Sequence, residues 1–262
     1  MSDQTVIEVE QRGHVRILRI SRPASMNALS SAVLHQLIEA VGELRRDPEV
    51  RCFVLTGAPR ADGTPCFSAG VDLKEAAAGA MAPGNPGLRL TQLIDECLTP
   101  SIAVVDGVCT TGALELAMAC DLRIVADTAR ISDWHLARLG AGLGAWGAST
   151  RLARLVGVAQ AKDLILTGKV IDGQEALRIG LAQRLVPSAT LWDEAMRVAD
   201  AVAGMRPEGV RMTLAHLDKV QDLSKEASLA FARQVGQWFS PGPRFEESVK
   251  GILERKDDPS GA

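Results

Sequence analysis

The chain has 262 residues, which is enough for one large hydrophobic core or for one core with a small appendage. Hydrophobic residues make up 47% of it and charged residues 23%, as is ordinary for a folded globular protein. The net charge of −3 argues against a general nucleic-acid-binding protein, because phosphate binding requires a basic surplus.

The first hundred residues alternate between strand and helix patterns. Residues 5–10 and 14–20 are rich in β-branched side chains and predict a hairpin that turns at Arg12-Gly13. Apolar residues recur at helical spacing over residues 30–46, and a short buried strand is predicted at 51–55. A helix begins near Asp72, the Ala-, Gly- and Pro-rich stretch 76–87 predicts a surface loop or a broken helix, and residues 88–98 are again helical.

The pattern continues with strands at 102–106, 121–126 and 129–132, and with a helix that begins at Gly112. This alternation predicts the α/β class. Beyond it, the remaining patterns are all helical and cover residues 191–205, 208–220, 224–239 and 244–254. We therefore predict an α/β core over residues 1–190 and a helical C-terminal region over residues 191–262.

The composition also predicts where the protein works. The N-terminus lacks the pattern of a signal peptide, and no apolar stretch is long enough to span a membrane. The four histidines share no metal-ligand spacing, so no metal site is expected. An odd number of scattered cysteines indicates reduced thiols and a cytoplasmic location, with no membrane partner. These cysteines are Cys52, Cys66, Cys97, Cys109 and Cys120.

Two segments share one local plan: a buried strand, a turn that contains glycine, and then a helix. They are residues 67–75 and residues 106–115. The first turn of a helix leaves backbone N–H groups unpaired, and the helix dipole makes that end positive. Two such ends directed at one point would bind an oxyanion and so polarise a carbonyl group. Taken singly, each segment is also explained as an ordinary α/β turn.

Together, the two segments resemble the signatures of the crotonase (enoyl-CoA hydratase/isomerase) family. The motifs are F-S-A-G-V-D-L-K-E and D-G-V-C-T-T-G-A-L-E-L-A-M-A-C-D-L-R-I, and S-R-P-A-S-M-N-A-L and G-K-V-I-D-G-Q-E-A-L-R-I-G-L-A-Q-R-L-V-P also match. The resemblance covers nearly the whole chain in the expected order. It implies a crotonase-like spiral of ββα units with a helical C-terminal region, and a homotrimer or homohexamer in which that region packs between subunits.

The resemblance also implies a site. The backbone N–H groups of Val71 and Gly112 would form the oxyanion hole for the thioester carbonyl of an acyl-CoA substrate. Lys74 and Lys250 are the basic residues expected to contact the coenzyme's phosphates. The remaining residues expected to line the coenzyme A channel are Met26, Ala28, Gly70, Asp72 and Leu73.

Glu115 matches the first of two glutamates with which hydratases of this family handle water. A glutamate there also suits a helix N-terminus, but its apolar neighbours favour catalysis. The second glutamate is absent, because the family's F-G-x-P-E segment aligns with residues 131–135 and places His135 at the acid position. His135 would act as general acid or base, or would only pack or contact substrate. Asp133 is a further candidate, or it caps a turn.

Residues 142–147 spell a literal G-x-G-x-x-G. A dinucleotide-binding fingerprint requires a preceding strand, and none is predicted here. We expect this segment instead to open a helix over residues 148–156 and to form an active-site wall, with Trp146 shaping the acyl pocket.

The resemblance predicts an enzyme that stabilises a thioester enolate, most simply by hydrating an enoyl-CoA or by the reverse reaction. No cofactor is expected, since coenzyme A is part of the substrate. Isomerisation, C–C cleavage and thioester hydrolysis use the same oxyanion hole, so these alternatives stay open. Binding of acyl-CoA without catalysis is also open, because the second glutamate is replaced.

Overall fold

A computed structural model describes residues 5–140, 142–238, 247 and 249–253 of the chain. The chain forms two compact units, which divide between Arg211 and Met212. The strands all belong to the first unit within the described residues. They are β1 (Ile7–Arg12), β2 (Val15–Ile20), β3 (Cys52–Gly57), β4 (Cys66–Ser68), β5 (Ser101–Val105), β6 (Val108–Thr110), β7 (Leu122–Ala126), β8 (Arg130–Ser132) and β9 (Arg184–Val186).

The helices predicted within residues 30–239 are present, with shifts of a few residues at their ends, and two further helices at residues 158–167 and 173–178 are additional to the prediction. They are α1 (Ser31–Leu44), α2 (Leu73–Ala77), α3 (Pro86–Asp95), α4 (Gly112–Ala119), α5 (Ala148–Val156), α6 (Val158–Thr167), α7 (Gly173–Arg178), α8 (Ser188–Ala203), α9 (Pro207–Leu217) and α10 (Lys225–Trp238). A single 3₁₀ turn, Pro23–Ser25, precedes α1 in the described chain. No helix among the described residues is both long and apolar enough to cross a membrane.

The strands form two sheets, and successive strands of the chain alternate between them from β3 to β8. The larger sheet has the order β1-β2-β3-β5-β7-β9 and is parallel except for the β1–β2 hairpin. The smaller sheet has the order β4-β6-β8 and is parallel throughout. Three successive pairs of strands therefore place one strand in each sheet before the chain continues into a helix. These pairs are β3–β4, β5–β6 and β7–β8. This repeat is the predicted spiral of ββα units, and the fold prediction is confirmed.

Both faces of the larger sheet are covered, and the strand sequences show why. Successive side chains on a strand point to opposite faces, so a strand buried on both faces is apolar throughout. On β3, Phe53 and Leu55 join the cluster that includes α1, α3 and α4, whereas Cys52 and Val54 join the opposite cluster. The opposite cluster is completed by α8, through residues such as Ala195 and Ala199.

The packing of α8 bears on the domain boundary that the sequence predicts. The sequence predicts a boundary between residues 190 and 191, because no strand pattern follows it. The compact units divide 21 residues later, between Arg211 and Met212. Helix α8 buries Leu191 and Met196 against the sheet, so it is part of the α/β unit rather than of a separate helical tail. The role of the C-terminal region in oligomerisation stays a prediction. Of the helix predicted at 244–254, residues 247 and 249–253 are helical, and the other five residues lie outside the described chain.

Candidate active site

The turn from β6 into α4 presents one of the two predicted oxyanion donors. Thr111, which precedes the helix, has φ 55° and ψ −116°, a conformation that a β-branched residue rarely adopts. Its backbone N–H donates to the Ser132 carbonyl (3.0 Å), which fixes the turn to β8. Gly112 is then the first residue of α4, so its N–H has no acceptor within the helix. The strained backbone conformation of Thr111 is typical of functional sites.

The second predicted donor lies on the segment after β4. Leu29 pairs with Val71: its N–H donates to the Gly70 carbonyl (2.8 Å), and its carbonyl accepts from Asp72 N–H (3.1 Å). The Val71 N–H therefore points away from Leu29, because backbone groups alternate in direction along extended chain. Gly70 packs against the first turn of α4 so closely that a Cβ atom there would lie 3.4 Å from the Gly112 nitrogen. The fold thus brings the two segments together.

Glu115 lies on the first turn of α4 and is 1% exposed. Its Oε1 accepts hydrogen bonds from the backbone N–H groups of Trp146 (2.8 Å) and Ala148 (3.0 Å). Ala148 is the first residue of α5, so the carboxylate faces the positive end of that helix dipole. Its other oxygen, Oε2, is 3.3 Å from Nε2 of His135. Glu115 and His135 are therefore in direct contact, as a pair of proton-transfer groups requires.

The His135 imidazole has a carboxylate at each nitrogen. Nδ1 lies 3.1 Å from Oδ2 of Asp133, and Nε2 faces Glu115. The Asp133 carboxylate also accepts from the His135 backbone N–H (3.0 Å), so Asp133 both caps the local turn and holds the ring. The contacts of Asp133 show the turn cap, and its catalytic role stays a prediction.

These contacts set the protonation of His135. Burial is the largest single effect and lowers the pKa, because it disfavours the charged ring. The hydrogen bonds to Asp133 and Glu115, together with the charges of both carboxylates, outweigh burial and raise the pKa of His135 to about 9 from 6.5. His135 is consequently an imidazolium at neutral pH and can donate a proton.

The glycine-rich segment at residues 142–147 forms a wall of this site and follows no strand, so the dinucleotide interpretation is excluded. Gly144 has φ +78°, and a Cβ atom there would lie 2.8 Å from Glu115 Oε1 and 3.2 Å from His135 Cε1. Only a residue without a side chain fits so close to both groups. Trp146 is buried, and its indole packs against Gly112.

The predicted coenzyme A residues occupy two adjacent loops. The Met26 carbonyl accepts from Ala69 N–H (3.0 Å), which joins the loop after β2 to the segment after β4. Arg22 Nη1 donates to the Ala28 carbonyl (2.6 Å) and to Asp72 Oδ2 (2.9 Å), and Asp72 caps α2. Leu73 and Lys74 follow on α2 and are exposed. Lys250 belongs to the second unit.

Asn27 fixes the loop between Arg22 and Ala28, and its fully buried amide makes three hydrogen bonds. Nδ2 donates to the carbonyls of Ala58 (2.7 Å) and Cys66 (2.8 Å), and Oδ1 accepts from Arg22 N–H (2.9 Å). Asn27→Ala leaves these groups unpaired, and each buried unsatisfied group costs about 1–3 kcal/mol. We expect the free energy of unfolding, measured in urea, to fall by about 4 kcal/mol.

Asn85→Ala is the matched control for that measurement. Asn85 is exposed. It caps α3 by accepting from Leu88 N–H and donates to the exposed Ala145 carbonyl, which water can bind in its place, so its loss should cost only about 1 kcal/mol. Equal effects of the two substitutions would contradict the role assigned to Asn27.

Sequence reasoning missed some of these groups and had a signal for others. The positions of Gly144 and of the Ala148 N–H depend on how α5 packs against α4, which no local pattern reveals. The two-residue spacing of Asp133 and His135, by contrast, is a short-range signal that favours a contact within one turn. Among the described residues, no group of three or more His, Cys, Asp or Glu side chains is arranged to hold a metal ion.

Solved structures of known proteins share this architecture. A crystal structure of enoyl-CoA hydratase from Bacillus anthracis superposes with a TM-score of 0.86 at 28% identity, covering 96% of this chain and 97% of that one. A monofunctional enoyl-CoA isomerase from M. smegmatis superposes with a TM-score of 0.73 at 30% identity, covering 86% and 98%. The architecture is therefore that of the crotonase fold.

The sequence defines the family within that fold. The sequence model of the enoyl-CoA hydratase/isomerase family matches residues 10–260. A probable enoyl-CoA hydratase of Mycobacterium bovis is 35% identical over 258 residues, which cover 98% of this chain and 97% of that protein. The chain belongs to the enoyl-CoA hydratase/isomerase family, and the resemblance predicted from its motifs is confirmed.

Proposed function

We propose that the protein is a hydratase, which adds water across the α,β double bond of an enoyl-CoA thioester or catalyses the reverse reaction. The observation that carries this proposal is the direct contact of Glu115 and His135 beside the first turn of α4. Hydration requires a base for water and an acid for the α carbon. A carboxylate and an imidazolium in contact supply both.

Binding of the thioester begins with its carbonyl oxygen. We assign the N–H groups of Val71 and Gly112 as donors to that oxygen, because neither has a hydrogen-bond acceptor within the described chain. As the carbonyl becomes an enolate, both hydrogen bonds strengthen. Each such donor contributes about 3 kcal/mol of transition-state stabilisation.

The proton steps then follow from the pair. Glu115 Oε2 removes a proton from a water molecule whose oxygen attacks the β carbon, and the π electrons move onto the thioester as an enolate. His135 gives its Nε2 proton to the α carbon as the enolate collapses. The Glu115 carboxyl returns the first proton to the neutral imidazole across their contact, so the pair is restored and one water has been added.

A panel of enoyl-CoA thioesters with short, branched, aromatic and cyclic acyl groups tests this proposal. We expect at least one member to lose its conjugated thioester absorbance and to gain the mass of one water. A shifted double bond with unchanged mass would instead identify an isomerase, and cleavage or free coenzyme A would identify a lyase or hydrolase. Binding without turnover of any member would identify a non-catalytic acyl-CoA-binding protein.

We propose in addition that the hydratase needs no cofactor beyond the coenzyme A of its substrate, assembles as a homotrimer or homohexamer, and works in the cytoplasm. Family resemblance supports the assembly. The five cysteines support the location, because each is buried with a free thiol.

A further inference from the structure

The Trp146 indole occupies the space between the first turns of α3 and α4. A Cβ atom on Gly112 would lie 2.7 Å from Cζ3 of the ring, and a Cβ atom on Gly87 would overlap the other part of the ring. The side chain is thus sandwiched between two glycines, and Trp146 is 6% exposed. The two glycines admit a large aromatic ring where any other pair of residues would exclude it.

The loop around the ring is anchored on three sides. The Trp146 backbone N–H donates to Glu115 Oε1 (2.8 Å), and the Trp146 carbonyl accepts from Thr91 Oγ1 on α3 (3.3 Å). The preceding carbonyl, of Ala145, accepts from Asn85 Nδ2 (3.2 Å). These hydrogen bonds fix the backbone at Trp146 relative to α3 and the proposed base, while Gly87 and Gly112 enclose the indole itself.

We infer that the Trp146 indole closes the acyl end of the site and restricts the substrate to short acyl chains. This inference rests on the proposed function, which places the thioester carbonyl at Gly112 and the β carbon beside Glu115. The indole packs against Gly112, and the Trp146 backbone N–H binds Glu115, so carbons beyond the β carbon meet the ring almost at once. A long chain would have to displace a buried aromatic side chain.

Binding of saturated thioesters tests the inference without relying on catalysis. Calorimetry compares butyryl-CoA with decanoyl-CoA in the unmodified protein and in Trp146→Ala, which keeps the N–H that binds Glu115. In the unmodified protein we expect the longer chain to bind no more tightly. In Trp146→Ala we expect decanoyl-CoA to bind at least about tenfold more tightly than butyryl-CoA, because the vacated space buries its methylenes.

Turnover gives the second readout, with crotonyl-CoA and trans-2-decenoyl-CoA as substrates. We expect kcat/KM of the unmodified protein to be at least about 100-fold lower for the ten-carbon thioester, and this gap to shrink below about tenfold in Trp146→Ala. Trp146→Phe, which leaves a smaller space, should lie between them and replaces the alanine variant if that variant does not fold. Trp192→Ala is the control, because Trp192 lies on α8 and packs in the opposite cluster of the sheet.

The outcomes separate the inference from the function on which it rests. Equal handling of short and long chains by the unmodified protein, or an unchanged chain-length profile in both Trp146 variants, would overturn the inference while hydration stands. If no enoyl-CoA is hydrated, the proposed function fails, yet the binding comparison still decides whether Trp146 limits the acyl chain. A change of profile in Trp192→Ala equal to that in Trp146→Ala would also overturn it.

Discussion

Glu115→Gln is expected to lower kcat for enoyl-CoA hydration by about 10²–10⁴-fold. The amide oxygen can still accept from the N–H groups of Trp146 and Ala148, so the wall around the site should remain in place. The amide cannot take a proton from water, however, and its NH₂ group would face a ring nitrogen that also carries a proton. Steady-state kinetics on the best member of the thioester panel measures the loss.

Two further measurements separate the loss of the base from a loss of structure. The Kd for a saturated acyl-CoA should change by less than about threefold, since the proposed carbonyl donors are backbone groups. Glu96→Gln provides the control, because Glu96 is an exposed carboxylate at the end of α3. If Glu115→Gln turned over substrate at the unmodified rate, the assignment of Glu115 as base would be wrong.

The second large effect concerns His135. Its replacement should remove the alkaline limb, the fall of kcat/KM at high pH, from the pH profile. The proposed acid must carry its proton, and its pKa is about 9, so kcat/KM of the unmodified protein should fall as pH rises through about 9. In His135→Gln, kcat should drop by about 10²-fold or more and this limb should disappear. Initial rates from about pH 6 to about pH 10 test both statements.

Asp133→Asn tests the positioning of the ring by a different readout. Removing one carboxylate removes a hydrogen bond and a charge that favour the imidazolium, so the pKa of His135 should move down from about 9 toward 6.5. The alkaline limb should move to lower pH by the same amount. His35→Gln, on the exposed face of α1, should leave the profile unchanged. An unmoved limb in Asp133→Asn would contradict the contact as the cause.

The raised pKa of His135 also predicts how the free energy of unfolding depends on pH. The folded-state pKa of His135 lies above its ordinary value of 6.5, so the folded state binds the proton more tightly. The stabilisation from the imidazolium is therefore fully present below pH 6.5 and is lost as pH rises through about 9. A urea midpoint that falls over this window in the unmodified protein, and falls less in His135→Gln, is the expected result.

The sequence predicted the elements of the site better than it predicted their contacts. Hydrophobic patterns located α1, α4 and five strands of the larger sheet, β1, β2, β3, β5 and β7, because a buried element several residues long repeats its pattern often enough to be recognised. Strand β6, with only three residues after Gly107, is too short for such a pattern and was not predicted. The same holds for β9, which is also three residues long.

The contacts depend on packing between elements that lie far apart in the chain. The apolar neighbours of Glu115 marked it as unusual, yet they gave no sign that Ala148 would donate to it from 33 residues away. Nor could periodicity show that α8 belongs to the first unit. Its apolar face is like that of any amphipathic helix. It packs on the larger sheet because the other helices leave one face of the sheet without a cover.

Because the proposed carbonyl donors are main-chain N–H groups of Val71 and Gly112, no substitution other than proline deletes them. Binding of the thioester carbonyl and proton transfer therefore depend on different parts of the chain. The first depends on the backbone conformation, and the second depends on a few side chains. A different side chain at position 135 would change the proton transfer without any change in the backbone turns. A laboratory programme that seeks new thioester chemistry in this scaffold can begin from positions 115, 133 and 135 and leave the turns untouched.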